Sequence, residues 1–128
     1  MKYWLDIPCK ELSDKLLLDE HRSVHAYFGG MLKDPVKWSS HKLIGPMDAC
    51  VLYERHIEEV EEMARRGWKH KTPVTCEEYC TVDKWRVELR GLGFGEMYRD
   101  GTIIRVSEQV KLQEEYMRRR GIERRCKE

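Results

Sequence analysis

The stretch DEHRSVHAYFGG, residues 19–30, places several side chains capable of chemistry within about three helical turns. If the segment is helical, Glu20 lies one turn before Ser23, on the same side. Arg22 can hold a phosphate through two parallel hydrogen bonds, and His25 lies one turn beyond it. A serine hydroxyl does not act as a base at neutral pH without help. The segment therefore offers phosphate-binding groups and two carboxylates, Asp19 and Glu20, and Ser23 is its least reactive polar residue.

Apolar periodicity predicts that this stretch lies within the first of three principal helices. The helix starts near residues 8–11 and ends at Phe28, where Gly29 and Gly30 stop it. Its buried stripe contains Leu17, His21, Val24 and Phe28, with Leu12 and Leu16 beside it. His21 is therefore expected to be a partly buried structural histidine, and Arg22 could instead form a surface ion pair with Asp19.

The second predicted helix begins near Pro46 and ends at ARRG, with Gly67 just after it. Its expected buried stripe consists of Tyr53, Ile57, Val60 and Ala64. After a loop with one or two short helices, Asp100 and Gly101 are expected to form the turn of a small hairpin. The last helix is capped by Ser107 and closed by Gly121. These elements predict a mainly α, compact single domain over residues 1–128, with irregular connections.

Composition narrows the class of protein. The chain is 37% charged and 41% hydrophobic, and no run approaches the roughly 18 apolar residues of a membrane span. We therefore expect a cytoplasmic protein with no membrane association, and a monomer. The net charge is only +1, but the tail MRRRGIERRCKE is strongly basic. Within it, Arg118, Arg119 and Arg120 suit contact with DNA phosphates.

The five cysteines are expected to be free thiols in a cytosolic chain, although a disulfide is conceivable. Cys76 and Cys80 share a face if their segment is helical. Two ligands are too few for a zinc site, and His70 with a more distant cysteine would be needed to complete one. The sequence therefore assigns no metal site.

Two segments together resemble a known family. ELSDKLLLDEHRSVHAYFG (residues 11–29) and LYERHIEEVEEMARRGW (52–68) are similar in register to pyrimidine-dimer DNA glycosylase/AP lyases. This family comprises the phage endonuclease V type and its short prokaryotic relatives, and the ending RRGWKHKTPV is similar to that of the shorter members. The resemblance covers about a third of the chain, and implies an endonuclease V-like helical domain.

The resemblance also implies a mechanism and a partner. In the family, the N-terminal amine attacks the sugar C1′ of a damaged nucleotide, expels the base and forms an imine, a Schiff base. A carboxylate on the first helix assists. The partner would be double-stranded DNA with a damaged or abasic site, and the chemistry needs no metal or organic cofactor.

Transferred to this chain, the resemblance assigns roles to particular residues. Counting back from the first helix without a gap puts Lys2 at the place of the family's nucleophile, whereas one extra residue in IPCKE puts Met1 there. The family removes its initiator ahead of a small residue, and Lys2 is large, so the second register is preferred and the amine of Met1 is the expected nucleophile. Lys2, Arg22 and His25 would contact DNA. Ser23 stands where the family has a carboxylate, and Glu20 is the nearest substitute.

Two other functions remain open at this stage. A catalytically silent DNA-binding relative would fit Ser23 and the altered tail, which lacks the family's aromatic lesion-reading segment. A small helical protein-interaction module without a nucleic-acid role would fit the near-neutral net charge.

Overall fold

A computed structural model of the protein describes residues 2–34, 48–70, 73–88, 96–99 and 102–121. The described part of the chain is mainly helical, as predicted, and contains four long helices rather than three. The helices are α1 (Asp14–Lys33), α2 (Ala49–Arg65), α3 (Cys76–Glu88) and α4 (Val106–Arg120). A 3-10 turn (Cys9–Glu11) precedes α1, and the strands are β1 (Lys2–Tyr3), β2 (Glu96–Arg99) and β3 (Thr102–Ile103).

Helix α1 begins and ends later than the sequence predicted: it starts at Asp14 rather than near residues 8–11, and it ends at Lys33 rather than Phe28. Ser13 caps it, because its side chain accepts a hydrogen bond from the backbone amide of Leu16. The helix then continues through the two glycines at positions 29 and 30 to Lys33. A glycine inside a helix costs only about 1 kcal/mol. Burial of Phe28 and Met31 on either side of the glycines outweighs that cost, so the predicted stop was wrong.

The predicted end of α2 is confirmed, but its predicted buried face is wrong. Gly67 follows the C-cap with a φ of 83°, which is the left-handed conformation that glycine favours. Residues of the expected apolar stripe, such as Ile57 and Ala64, are only partly buried or exposed. The buried face instead carries many polar and charged side chains, including Arg55, His56 and Glu59.

The three strands form one small sheet in the order β1-β2-β3. Strand β2 pairs antiparallel with β3, with Tyr98 opposite Ile103, which confirms the predicted hairpin. Strand β1 pairs parallel with β2, with Lys2 opposite Glu96. The N-terminal residues are therefore held between the hairpin and the helices.

The helices share an apolar core to which β1 also contributes. Helices α1, α2 and α3 pack against one another, and α4 packs on α2. Among the most buried core side chains are Tyr3, Leu5, Val24, Tyr27, Met31, Leu52, Tyr79, Val82, Leu112 and Tyr116. Helix α4 is followed by Gly121 as predicted, but the predicted cap was wrong: Arg105 is the N-cap, and Ser107 lies inside the helix, which starts at Val106. Within the described residues, no helix combines the length and apolar character needed to cross a membrane.

Candidate functional site

The first residues of the chain lie against α1. The backbone amide of Lys2 donates to Ser23 Oγ over 3.0 Å, and the Tyr3 hydroxyl donates to the Ser23 carbonyl over 3.1 Å. One residue further on, the amide of Trp4 donates to Glu20 Oε2 over 2.7 Å. Ser23 and Glu20, which the sequence singled out, therefore anchor the N-terminal strand. Met1 lies outside the described residues.

The Ser23 hydroxyl is occupied by structural hydrogen bonds. It is buried, accepts from the Lys2 amide and donates its hydrogen to the Asp19 carbonyl over 2.9 Å. These two bonds position the hydroxyl next to the N-terminal strand. They also commit the hydroxyl hydrogen to the helix backbone, so Ser23 is not available for acid–base catalysis.

Glu20 belongs to a buried group of charges that we call the carboxylate–arginine network: Glu20, Arg55 and Glu58. The Arg55 side chain is completely buried; its Nε donates to Glu20, and its Nη1 donates to Glu58 over 3.3 Å. The Arg55 Nη2 donates to the carbonyls of Trp4 and Ile7 over 2.9 and 2.8 Å. One guanidinium thus joins α1 and α2 to the N-terminal segment.

The charges of the network stabilise one another. Burial by itself raises the pKa of Glu20, but the Arg55 charge and the hydrogen bonds to this carboxylate outweigh it and leave the pKa below its usual value. The same balance of burial and Arg55 lowers the pKa of Glu58, which also accepts from the Cys9 amide and the Tyr116 hydroxyl. Because Glu20 has no exposed surface, the geometry assigns it a structural ion pair rather than contact with a substrate.

A second polar group lies beside this network, and we call it the histidine cluster: His21, His25, His56 and His70. His21 and His25 are one turn apart on α1, His56 is on α2, and His70 is in the segment after α2. The Nε2 atom of His25 lies 3.1 Å from that of His21, 3.2 Å from that of His56 and 3.4 Å from that of His70. One ligand atom from each of the four rings lies within 4.8 Å of the others.

The imidazoles of the cluster are uncharged near neutral pH. Burial and then the neighbouring His25 and His70 lower the pKa of His21 to about 4. Burial and the other three rings lower the pKa of His56 to about 3. Burial also lowers the pKa values of His25 and His70. Neutral imidazole is the form that binds metal ions, so the cluster presents four converging metal ligands.

Glu59 connects the cluster to the network. Its Oε1 lies 3.1 Å from Nδ1 of His21, and its side chain is fully buried. Burial, followed by the charge of Glu20 and a hydrogen bond to it, raises the pKa of Glu59 well above its usual value. A protonated Glu59 can donate to Glu20 while still accepting from His21.

The predicted DNA-contacting residues lie in different environments. Lys2, Arg22 and the three arginines at the end of α4 (Arg118–Arg120) are exposed, whereas His25 is turned into the histidine cluster. Arg119 Nη2 donates to the Leu5 carbonyl over 3.1 Å, so the end of α4 lies beside the N-terminal segment. Arg119 and Arg120 help to line a cleft of about 180 Å³ there, together with Leu5, Pro8, Arg55, Glu58 and Tyr116.

Sequence reasoning missed the histidine cluster as a unit. The spacing of His21 and His25 was a usable signal, because residues four apart on a helix can bind one ion. His70 was considered only with Cys76 and Cys80, whose sulfurs lie 3.8 Å apart, but its ring contacts His25 instead. No residue near His56 in the sequence marked it as a possible metal ligand.

Comparisons with known proteins do not place the chain in a family. No family model, curated protein or solved structure matches it.

Proposed function

We propose that the protein is a DNA-repair protein of the glycosylase/AP lyase type, which acts on duplexes with a damaged or abasic site. The supporting observation is the 3.0 Å hydrogen bond from the Lys2 amide to Ser23 Oγ. This bond holds Lys2, the residue next to Met1, against the part of α1 at which the family resemblance implies the reaction. The amine of Met1 is the nucleophile.

The reaction follows from the chemistry of a terminal amine. With an ordinary pKa of about 7.7–8.0, it is partly neutral near pH 7 and can attack without strong activation. At an abasic site, the amine nitrogen bonds to the C1′ aldehyde and water leaves, which yields an imine. Removal of the neighbouring C2′ proton then expels the 3′ phosphate by β-elimination.

Ser23 limits the rate of this chemistry. Its hydroxyl donates its hydrogen to the Asp19 carbonyl, and the Glu20 carboxylate is hydrogen-bonded to Arg55. General acid–base assistance is worth about a hundred- to ten-thousandfold in rate. We therefore expect reaction with an abasic aldehyde, which has already lost its base, to be much faster than excision of a base from a pyrimidine dimer.

DNA contact is expected at exposed basic side chains. Exposed Lys2 and Arg22 come from the N-terminal strand and α1, and exposed Arg118 and Arg120 from the end of α4. Such cations bind the phosphate backbone without reading sequence, so binding should weaken steeply as salt rises.

The committed Ser23 hydroxyl also favours a second candidate, a DNA-binding relative without catalysis. Both candidates predict salt-dependent duplex binding, and they differ in covalent chemistry. Borohydride reduces an imine to a stable amine and so crosslinks protein to DNA only where the imine forms.

The test is borohydride trapping on duplexes carrying an abasic site or a cyclobutane dimer. Wild-type protein should crosslink to the abasic duplex, and acetylation of the N-terminus should abolish the crosslink, because an acetylated amine cannot form an imine. Ser23→Glu should increase trapping, with Ser23→Ala as the matched control. Binding without trapping by any variant would favour the silent relative, and absence of binding to either duplex would overturn both candidates.

A further inference from the structure

We infer that His21, His25, His56 and His70 together bind one divalent transition-metal ion, and that zinc fits the site best. The amine chemistry proposed above uses none of these four side chains. The metal site and the DNA function can therefore stand or fail separately.

The contacts around His25 are more than hydrogen bonding explains. In the plane of a neutral imidazole, each nitrogen carries either one hydrogen or one lone pair. Yet Nε2 of His25 lies 3.1–3.4 Å from three other nitrogens, those of His21, His56 and His70. A single hydrogen or lone pair completes one well-aligned bond, not three. A cation shared by the nitrogen lone pairs accounts for all three contacts at once.

The spacing of the nitrogens fits tetrahedral coordination. Zinc–nitrogen bonds of about 2.0–2.1 Å place the ligands of a tetrahedron about 3.3–3.4 Å apart. The three distances from His25 are 3.1, 3.2 and 3.4 Å, and the four ligand atoms all lie within 4.8 Å of one another. The most widely separated nitrogens must approach one another from up to 4.8 Å, as the rings turn towards a shared ion.

Neighbouring groups hold the ligands in the orientation that a metal requires. Glu59 Oε1 lies 3.1 Å from Nδ1 of His21, which fixes the Nδ1–H tautomer and leaves the Nε2 lone pair for the ion. His21 and His25 stand one turn apart on α1, and His56 is buried on α2. Three of the four ligands are therefore positioned by regular helices.

The donor set indicates both the class of metal and the role of the site. Four imidazoles suit zinc and neighbouring transition metals, whereas magnesium and calcium prefer oxygen ligands. Four protein ligands leave no coordination position for water or substrate, which is typical of structural zinc. The ion would bind the segment Trp68–His70 to α1 and α2.

The first experiment measures metal in the full-length protein without DNA. The protein is stripped with a chelator, reloaded with Zn²⁺ or Co²⁺ and desalted. We expect about one tightly held ion per chain by mass spectrometry of the metal content, and the intense visible absorption of tetrahedral Co²⁺ in the cobalt form. A folded wild-type protein that retains neither ion would overturn the inference.

Histidine variants test whether the cluster is responsible. His25→Gln and His56→Gln should lose the ion on desalting, with folding checked by circular dichroism. The matched control is His41→Gln, which changes the fifth histidine of the chain. Equal loss from His41→Gln and His56→Gln would show binding by histidines in general and overturn the site.

A ligand-exchange variant gives a signal that a misfolded protein cannot produce. His70→Cys keeps four ligands and should bind Co²⁺ with a new thiolate-to-cobalt charge-transfer band in the near ultraviolet. His41→Cys should show no such band. A His70→Cys protein that holds cobalt with an unchanged spectrum would exclude His70 as a ligand and overturn the four-histidine site.

Discussion

The carboxylate–arginine network and most of the histidine cluster are built from neighbouring residues of the same two helices; His70 of the cluster lies in the segment after α2. On α1, Glu20 belongs to the network and His21 to the cluster. On α2, Arg55 belongs to the network and His56 to the cluster. The network contains both signs of charge, and its guanidinium is satisfied by carboxylates and backbone carbonyls. The cluster gathers four groups of one kind. A helix pair can thus build one polar site that is complete in itself and another that an external cation would complete.

The contrast has an energetic consequence. Removing one member of a buried ion pair leaves an uncompensated charge, whereas a neutral imidazole can lose a neighbour without leaving a buried charge behind. The network should therefore govern intrinsic stability, and the cluster should govern how stability responds to metal.

The largest expected effect is that of Arg55→Leu. Loss of the guanidinium leaves Glu20 buried without its counter-ion and should reduce the free energy of unfolding by about 3–5 kcal/mol. Urea unfolding at pH 7 measures it. Arg65→Ala is the control, since Arg65 is 64% exposed and exposed ion pairs contribute little to stability. Similar losses in the two variants would contradict the distinction between network and surface charge.

The second-largest change in the free energy of unfolding should come from zinc binding. An ion that binds only the folded chain stabilises it by about 2.7 kcal/mol at a free concentration of 100 times its Kd. Unfolding measured with zinc and then with a chelator should show this difference in wild type. His56→Gln should remove the difference, whereas His41→Gln should keep it. A zinc effect that persists in His56→Gln would move the responsible site away from the cluster.

Glu59 tests the connection between the two groups. Glu59→Leu removes the acceptor for His21 Nδ1 and should weaken zinc affinity by about 10- to 100-fold, as measured by chelator competition. Glu59→Gln should retain most of the affinity, because an amide can accept from His21 and donate towards Glu20 as a protonated carboxyl does. Equal losses in both variants would argue that charge, rather than hydrogen bonding, is what Glu59 supplies.

A smaller effect should appear in acid. Glu58 has a lowered folded pKa, so it binds a proton more readily in the unfolded chain. Its contribution to stability is therefore present above the unfolded pKa, about 4.3, and is lost as pH falls through the lower folded value. Wild type should exceed Glu58→Gln in stability at pH 7, and the gap should narrow towards pH 3. A constant gap would mean that Glu58 acts through packing alone.

Local rules predicted most of the helical framework. Gly67 acts through its immediate neighbours, because it adopts the left-handed turn that follows α2. The antiparallel pairing of β2 with β3 and the stripe of Leu17, Val24 and Phe28 are also readable from nearby residues. The predicted turn residues Asp100 and Gly101 lie outside the described part of the chain. The C-terminal end of α1 was not readable in this way, because the burial of Met31 beyond the glycines depends on the rest of the fold.

The sequence by itself determined the helical character of the chain, the glycines that follow α2 and α4, and the apolar face of α1, because these depend on residues a few positions apart. Only the tertiary structure decided which face of α2 is buried. Hydrophobic periodicity favoured Ile57, whereas Arg55 is buried because Glu20, 35 residues away, supplies its counter-charge. The histidine cluster has the same origin. His25 and His70 are 45 residues apart, and only the packing of α1, α2 and the following segment brings their nitrogens within 3.4 Å.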